Sequence, residues 1–460
     1  MFAFIFVALN FFFVFVVFHL YHFSFPLNFR LPSIALWCFF QNALAYIGSS
    51  IVLAHSLNLI SFLDILPLQR DLAFIVWLTF LWCNLFIPIS LVFFKRLFLA
   101  RRLLYSESLG QGASRNSFNY QIMSILSLLF LIFLLVSRND SLQIFQSAGS
   151  TAGYIARREY GELIHSSQSL YIFSLIHLYS VFVLVVSIKT SPPILFRLTS
   201  FILFFLYLFN QISSFSFAPV LGLLVFVFFY YCLFPSFGTL RKASFDYRAL
   251  NDFKISKQVL PLVVATVFTF SALFMLFYFI KSSTDVYESI SHLVARMFVG
   301  QIFGVAYAYD IFQSPDSFLG FSTIASPIMR LLGLPVNPDY GLVMMDSYNL
   351  KGVIAGSAGS FSSFYPADAY ACFGILGVIF SPFIIAFLIV LYEFVFSRLR
   401  PGVVSSLIYS YFAISLPYST SFNGLFYPFG IIVNCSLFLL LFKILSLRWS
   451  GSLAKHRCPN

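Results

Sequence analysis

Long, uninterrupted apolar runs recur along almost the whole chain, and they restrict its possible folds more than any other feature. Of the 460 residues, 60% are hydrophobic and 9% are charged, whereas soluble domains carry about 25% charged residues. Runs of about 18 or more apolar residues are typical of membrane spans, and a bilayer admits only helices or closed barrels as spanning structures. The runs are continuous rather than alternating, so the sequence predicts an all-α polytopic membrane protein.

The apolar runs predict eleven transmembrane helices. Their expected ranges are 2–19, 31–53, 72–94, 121–137, 169–188, 198–214, 219–234, 260–280, 368–393, 403–419 and 425–445. The first run lacks a basic leading segment and a small-residue cleavage site, so we interpret it as a first span and not as a cleaved signal peptide.

The basic residues predict which connections lie in the cytoplasm. They cluster after the third span, from Lys95 to Arg115, and after the seventh span, from Arg241 to Lys257. Because Lys and Arg are enriched in cytoplasmic loops, both connections are expected inside. The outward loops are then 54–71, 138–168, 215–218, 281–367 and 420–424. This pattern also accounts for the net charge of +11, so no nucleic-acid partner is expected.

This topology predicts three regions. Residues 1–280 hold the first eight spans and the external loop 138–168, residues 281–367 form a large external loop, and residues 368–460 hold the last three spans and a basic cytoplasmic tail. The large loop is expected to contain re-entrant or interfacial helices.

The predicted spans offer little for ion-coupled transport or metal chemistry. No charged residue is expected at mid-membrane depth, and the polar residues there are interpreted as interhelical hydrogen-bonding groups. These are Gln41, Asn42, Asn84, Asn210 and Asn434. The six cysteines form no CxxC pair, and the sequence contains no HExxH, GxSxG or DxD motif. We therefore predict no metal site and no cofactor.

The large outward loop carries a helical stripe of ionisable residues. Glu288, His292 and Arg296 are spaced four residues apart, which places them on one face of a helix over 285–304. This stripe either faces an anionic ligand or forms an internal salt network on an interfacial helix. Residues 331–367 are rich in Gly, Ser, Pro and Asn, and we interpret them as an irregular loop with tight turns at Pro335 and Asn337-Pro338.

The outward loop 138–168 contains arginines that the positive-inside rule does not explain. Arg157 and Arg158 precede Glu159, and guanidinium groups suit phosphate oxygens. The two loops together predict a cleft for a phosphorylated ligand, with loop solubility as the alternative. Glu288, Glu159 and Arg330 are the candidate sugar-binding residues.

Three segments resemble the Wzy-type oligosaccharide repeat-unit polymerases of bacterial surface polysaccharides. ARMFVGQIFGVAYAYDIF (295–312) is similar to the Arg-led segment that opens the family's large external loop. GVIAGSAGSFSSFYPA (352–367) resembles its Gly/Ser-rich stretch. DAYACFGILGVIFSPFIIAFL (368–388) resembles an acid-Ala-Tyr-x-x-Phe-Gly pattern that leads into a span. The strong likeness covers about 100 residues; the number and order of spans are similar as well.

The resemblance implies glycosyl transfer at the outer face of the bacterial inner membrane. A growing glycan on undecaprenyl diphosphate is transferred to a new lipid-linked repeat unit, and a separate chain-length regulator is an expected partner. Arg296 matches the family's arginine, so Arg296, Arg157 and Arg158 are expected to bind the diphosphate. His292 and Asp310 are the candidate bases, and Asp368, at the acidic motif position, positions a sugar hydroxyl or orients an arginine.

Two other functions stay open from the sequence. An O-antigen ligase has a similar layout and donor, and its large loop usually pairs an arginine with a histidine, as Arg296 and His292 do here. A lipid-linked oligosaccharide flippase predicts cationic residues along the bundle interior and pseudo-symmetric halves, and neither is evident in this sequence. The turn between the sixth and seventh spans, NQISSFSFAP (210–219), lacks the arginine that relatives often carry there.

Overall fold

The structure is a computed structural model. It describes residues 2–24, 33–59, 68–99, 119–136, 167–190, 192–213, 217–234, 300–336, 340–348, 364–396, 403–416, 425–426 and 428–453.

These residues are almost entirely helical, and no strand occurs among them. In chain order the helices are α1 (Phe2–Ser24), α2 (Ile34–Ser56), α3 (Arg70–Leu99), α4 (Tyr120–Val136), α5 (Ser167–Lys189), α6 (Ile194–Ser213), α7 (Phe217–Leu233), α8 (Gly300–Ile311), α9 (Gly320–Ile324), α10 (Ser326–Leu331), α11 (Tyr340–Tyr348), α12 (Tyr365–Phe396), α13 (Val403–Ser415) and α14 (Phe429–Leu453). A 3₁₀ turn, Pro315–Ser317, separates α8 from α9.

Five of these helices are long and apolar enough to cross a membrane: α2, α3, α5, α6 and α12. Helices occupy ten of the eleven predicted span positions, and the predicted span 260–280 lies outside the described residues. The all-helical, multi-pass class is therefore confirmed. The count of eleven spans stays a prediction, because several of the other helices are shorter.

The chain divides into two compact units. Unit 1 comprises Met1–Leu103, Ser271–Arg398 and Leu416–Pro428, and unit 2 comprises Leu104–Phe270, Leu399–Ser415 and Phe429–Asn460.

In unit 1, α3 is the central helix and packs against α1, α2, α8 and α12. Aromatic pairs join Phe86 to Phe383 and Phe98 to Phe394, so α3 and the later part of α12 run in the same direction. The Glu393 carboxylate near the end of α12 accepts a hydrogen bond from the Ile34 amide at the start of α2, at 3.1 Å. The start of α2 and the end of α12 therefore share one end of unit 1, as the predicted topology requires.

Polar groups link the helices of unit 1 through its interior. The side-chain oxygen of Asn42 on α2 accepts a hydrogen bond from the Tyr365 hydroxyl at 3.0 Å. The side-chain amide of Asn84 on α3 donates to the backbone carbonyl of Asn42 at 3.1 Å. Both asparagines are buried. Interhelical hydrogen bonding is therefore confirmed for Asn42 and Asn84.

Unit 2 is built around α5, which packs against α4, α6, α7, α13 and α14. The buried Tyr179 hydroxyl of α5 donates to the Met123 carbonyl of α4 at 2.7 Å. On α14, Asn434 donates to the Tyr411 hydroxyl of α13 at 3.1 Å, which confirms its predicted role. Large buried aromatic side chains, among them Phe182, Phe226 and Tyr230, pack between these helices.

Candidate functional site

Helix α8 positions Asp310, one of the two predicted bases. Its buried residues include Ile302, Val305 and Tyr309, and the helix packs against α2, α3 and α12. The Tyr309 hydroxyl forms a hydrogen bond of 2.6 Å with Thr79 of α3. Successive residues of a helix point about 100° apart, so anchoring Tyr309 in the interior leaves the next residue, Asp310, exposed.

Helix α11 brings a tyrosine to this carboxylate. Tyr340 and Met344 are buried, while Tyr348, one turn further along the same face, is 40% exposed. The Tyr348 ring stacks on Tyr307 of α8 with centroids 4.0 Å apart and an interplanar angle of 23°. Its hydroxyl donates a hydrogen bond to Oδ2 of Asp310.

We call Asp310, Tyr348, Tyr307 and Gln313 the Asp310 cluster. The Gln313 amide lies 3.5 Å from Oδ1 of Asp310, at the outer limit of a hydrogen bond. Partial burial raises the pKa of Tyr348, and the hydrogen bond to Asp310 and the negative charge of that carboxylate raise it further. The hydroxyl therefore stays protonated at neutral pH and keeps donating to Asp310.

The Asp310 cluster combines an exposed carboxylate with a stacked aromatic pair. An aromatic face packs against the C–H surface of a ligand ring, and nearby polar groups hydrogen-bond to its substituents. This arrangement is suited to binding a polar ring and to accepting a proton from one of its hydroxyl groups.

Helix α12 does not run straight through the predicted span 368–393. Gly374 has φ 61° and ψ −146°, a conformation open only to glycine. A Cβ on Gly377 would meet the carbonyl group of Ala369, although residues eight apart on a straight helix are separated by about 12 Å. Residues 365–373, which we call the folded-back leg, therefore reverse direction at Gly374 and lie alongside the rest of the helix.

Contacts at Cys83 support this reversal. The Cys83 thiol lies close enough to interact with both Tyr365 and Ser381, which would be about 24 Å apart on a continuous helix. The predicted span 368–393 is therefore helical but bent at Gly374. Residues 375–396 form the straight part, and its length of about 33 Å is sufficient for a bilayer crossing.

The folded-back leg carries Asp368, the third predicted catalytic residue, into the interior of unit 1. Asp368 is 2% exposed, and the Cys372 thiol lies 3.9 Å from its Oδ1 atom. The sequence predicts this carboxylate at the outer end of a span, but the bend at Gly374 positions it in the interior. Its burial favours the second of its two predicted roles, the orientation of another group.

Asp310 and Asp368 lie on elements that contact each other. Tyr309, next to Asp310, packs against Tyr370 on the folded-back leg with ring centroids 4.3 Å apart. The amide of Leu319, just after the 3₁₀ turn, donates to the Ala371 carbonyl of the leg at 2.9 Å. The folded-back leg therefore packs directly against α8, the helix that carries Asp310.

The side chains of the other predicted site residues lie outside the described part of the structure. His292, Arg296, Glu288, Arg157, Arg158 and Glu159 lie outside the described residues, and of Arg330 only the backbone, in α10, is described. Within the described part of the chain, no three His, Cys, Asp or Glu side chains converge as metal ligands.

Tyr307, Tyr348 and Gln313 are not among the site residues predicted from the sequence. Tyr307, Asp310 and Gln313 are spaced three residues apart, a signal that could have grouped them on one helical face. Tyr348 lies in the stretch 331–367 that we interpreted as irregular, and this interpretation is wrong for Tyr340–Tyr348, which is helical. Packing of its buried face stabilises α11 despite the weak periodicity of the sequence.

No protein family, no curated protein and no solved structure matches this chain.

Proposed function

We propose that this protein polymerises undecaprenyl-diphosphate-linked oligosaccharide repeat units at the outer face of a bacterial inner membrane. The main structural support is the Asp310 cluster, in which an exposed carboxylate adjoins a stacked tyrosine pair. The cluster lies on a segment of the chain that the sequence topology places outside the cell. Neither a metal motif nor a cofactor is needed for the reaction.

Asp310 acts as the general base in this proposal. A hydroxyl of the incoming repeat unit displaces the Tyr348 hydroxyl from Asp310 and gives its proton to the carboxylate. The hydroxyl oxygen then forms a bond to the anomeric carbon of the growing glycan. The bond from that carbon to the diphosphate oxygen breaks, and undecaprenyl diphosphate leaves with the electron pair.

The tyrosine pair binds the sugar ring that receives the glycan. Tyr348 is 40% exposed and is supported from behind by Tyr307, so one aromatic face is open to a ring. The fixed ring orients the acceptor hydroxyl toward Asp310, and such positioning removes part of the entropic barrier to reaction.

Arginines from the two external loops neutralise the leaving group. Arg296, with Arg157 or Arg158, binds the donor diphosphate, since guanidinium groups form paired hydrogen bonds with phosphate oxygens. His292, four residues before Arg296, is the alternative base. Asp368 orients one of these groups from the folded-back leg, while Glu288, Glu159 and Arg330 contact the sugars.

A deletion strain tests this function against the alternatives. Loss of the polymerase should leave a single repeat unit on the lipopolysaccharide core, or no high-mass capsule. Bare core with polymer stranded on its lipid carrier would identify a ligase instead. Single units trapped on the cytoplasmic side would identify a flippase.

Complementation of the deletion then tests the leaving-group role. Arg296→Ala should abolish polymer on a gel, because loss of a charge that stabilises the transition state costs about 3 kcal/mol or more. Arg296→Lys should restore only part of it, since lysine cannot make the paired contact. Membrane insertion of both variants is confirmed by immunoblot, and full-length polymer from both would remove Arg296 from the mechanism.

A further inference from the structure

A partly open cavity of about 330 Å³ lies in unit 2, between α5, α6, α7 and α13. Small-molecule sites usually occupy about 300–1,000 Å³ and combine apolar walls with a few placed polar groups. This cavity belongs to the same size class, and no residue of the Asp310 cluster lines it.

The walls of the cavity present aromatic faces. The His177 ring stacks on Phe226 with centroids 5.4 Å apart and an interplanar angle of 18°. Tyr411 packs against both rings, at 5.8 Å from His177 and 5.6 Å from Phe226. These contacts hold the three rings in a fixed arrangement around one side of the space.

Polar groups enter the same space from three of these helices, α5, α6 and α13. Nδ1 of His177 lies 3.1 Å from the Tyr207 hydroxyl. The side chains of Gln211, Ser174 and Ser415 also line the cavity. Hydroxyl, amide and imidazole groups both donate and accept hydrogen bonds, so the lining matches a ligand with several hydroxyl groups.

The described part of the lining is uncharged. None of the described residues that line the cavity is Lys, Arg, Asp or Glu. A diphosphate or another ion entering the space would lose part of its hydration without gaining an opposite charge from the described lining, which is unfavourable. The ligand is therefore neutral, unlike the diphosphate assigned to the external arginines.

We propose that this cavity is a binding site for a neutral saccharide ring. The ring lies against the aromatic wall formed by His177, Phe226 and Tyr411, and its hydroxyls bond to Tyr207, Gln211 and the serines. Gln211 lies near the end of α6, next to a turn that the sequence topology places outside, so the cavity is entered from the external side. The proposal depends on this cavity alone and does not require that the protein forms polymer.

Gly222 on α7 permits a variant that fills the cavity without disturbing its walls. A Cβ on Gly222 would meet no atom within 4 Å, so the side chain of Gly222→Leu extends into the open space. Gly430→Leu on α14 is the matched control, because a Cβ on Gly430 also meets nothing within 4 Å and Gly430 does not line the cavity. Both changes replace a helical glycine, so neither should lower the melting temperature.

Binding is measured by saturation-transfer NMR on the full-length protein in nanodiscs. The probes are the methyl glycosides of glucose, galactose and N-acetylglucosamine, with glucose 1-phosphate as the charged comparison and methylcyclohexane as the apolar one. Octyl glucoside added to a parallel sample distinguishes a lipid-attached saccharide, which it would mimic, from a free one.

We expect at least one methyl glycoside or octyl glucoside to bind wild type and Gly430→Leu, with signal lost in Gly222→Leu. Tyr207→Phe removes one hydroxyl partner and should weaken binding about fivefold. The idea is overturned if no neutral saccharide binds, if binding survives in Gly222→Leu, or if glucose 1-phosphate or methylcyclohexane binds as well as the glycosides. Equal saccharide signals from Gly222→Leu and Gly430→Leu would place the binding elsewhere on the protein.

Discussion

At the residue scale, the proposed chemistry of unit 1 depends on two adjacent residues, one buried and one exposed. Tyr309 is buried against Thr79 and Tyr370, while Asp310 is exposed beside Tyr348. The first side chain fixes α8 in place, and this fixes the position of the second. The carboxylate therefore stands on a rigid support, a condition for an effective general base.

The carboxylate of Asp310 gives the first residue-scale prediction. In the complementation assay, Asp310→Asn should lower polymer formation by about 10²–10⁴-fold, because the amide cannot accept the acceptor's proton. Tyr348→Phe keeps the ring stacked on Tyr307 and should have a smaller effect. Polymer is quantified from gels at matched protein levels.

Asp316→Asn is the control for this prediction. Asp316 is also exposed and lies in the 3₁₀ turn six residues after Asp310, so the variant removes the same charge nearby. Polymer should stay at the wild-type level. If Asp310→Asn and Asp316→Asn behave alike, Asp310 is not the base and His292 takes its place as the candidate.

At the element scale, α12 is shaped by one glycine. Gly374 is the glycine of the Phe-Gly motif quoted from 368–388, and its positive φ makes the turn between the folded-back leg and the straight part. The ring of Phe318 covers Gly374 so closely that a Cβ would lie 2.8 Å from its Cε2 atom. The motif therefore has a structural reason that is independent of any catalytic role.

Gly374→Ala is expected to destabilise unit 1. An alanine there is strained by roughly 1–3 kcal/mol, and contact with Phe318 adds to this cost. The melting temperature of the purified protein should fall, and polymer formation should fall with it because the leg supports α8.

Gly333→Ala measures the cost of backbone strain alone, without the steric contact that Phe318 adds at Gly374. Gly333 also has a positive φ, 68°, at the end of α10, but a Cβ there meets nothing within 4 Å. This variant should lower the melting temperature less than Gly374→Ala. A Gly374→Ala protein as stable as wild type would mean that the leg does not fold back as described.

At the scale of the whole molecule, the chain is a membrane protein in which several helices are long and apolar enough to cross a bilayer. Among the described residues, large apolar side chains are widely exposed on helices such as α1, α3 and α6. Such surfaces are stable against lipid and costly in water. The orientation of these helices determines whether the Asp310 cluster can meet a lipid-linked substrate outside the cell.

Cysteine labelling in spheroplasts tests this orientation. Asp316→Cys lies at an exposed position beside the Asp310 cluster and should react with a membrane-impermeant maleimide added from outside. Arg96→Cys, exposed at the end of α3, should react only after the membrane is permeabilised. Both proteins also carry Cys232→Ser and Cys458→Ser, so that the new cysteine is the one that reacts. The other four native cysteines are buried.

The opposite labelling pattern would place the Asp310 cluster in the cytoplasm and remove the basis of the proposed function. The parent protein without either new cysteine measures background labelling.

The positions of the helices could be predicted from the sequence because hydrophobic length is a local property. Each apolar run carries its own tendency to enter a bilayer, whatever the rest of the chain does. The roles of Asn42, Asn84 and Asn434 could be predicted for a similar reason, since a polar group at depth must find a partner on another helix. Asp310 was also identified as a candidate from the chain alone.

The tertiary structure decided what no local pattern contains. Asp310 meets Tyr348 across 38 residues, and the hydrogen bond forms only because α8 and α11 are packed together. Asp368 moved from an expected helix end to the interior because a positive φ at Gly374 reverses the chain, and hydropathy does not report a dihedral angle. The sequence by itself determined that this chain forms apolar helices suited to a membrane. Packing between distant segments determined which of its few polar groups come together.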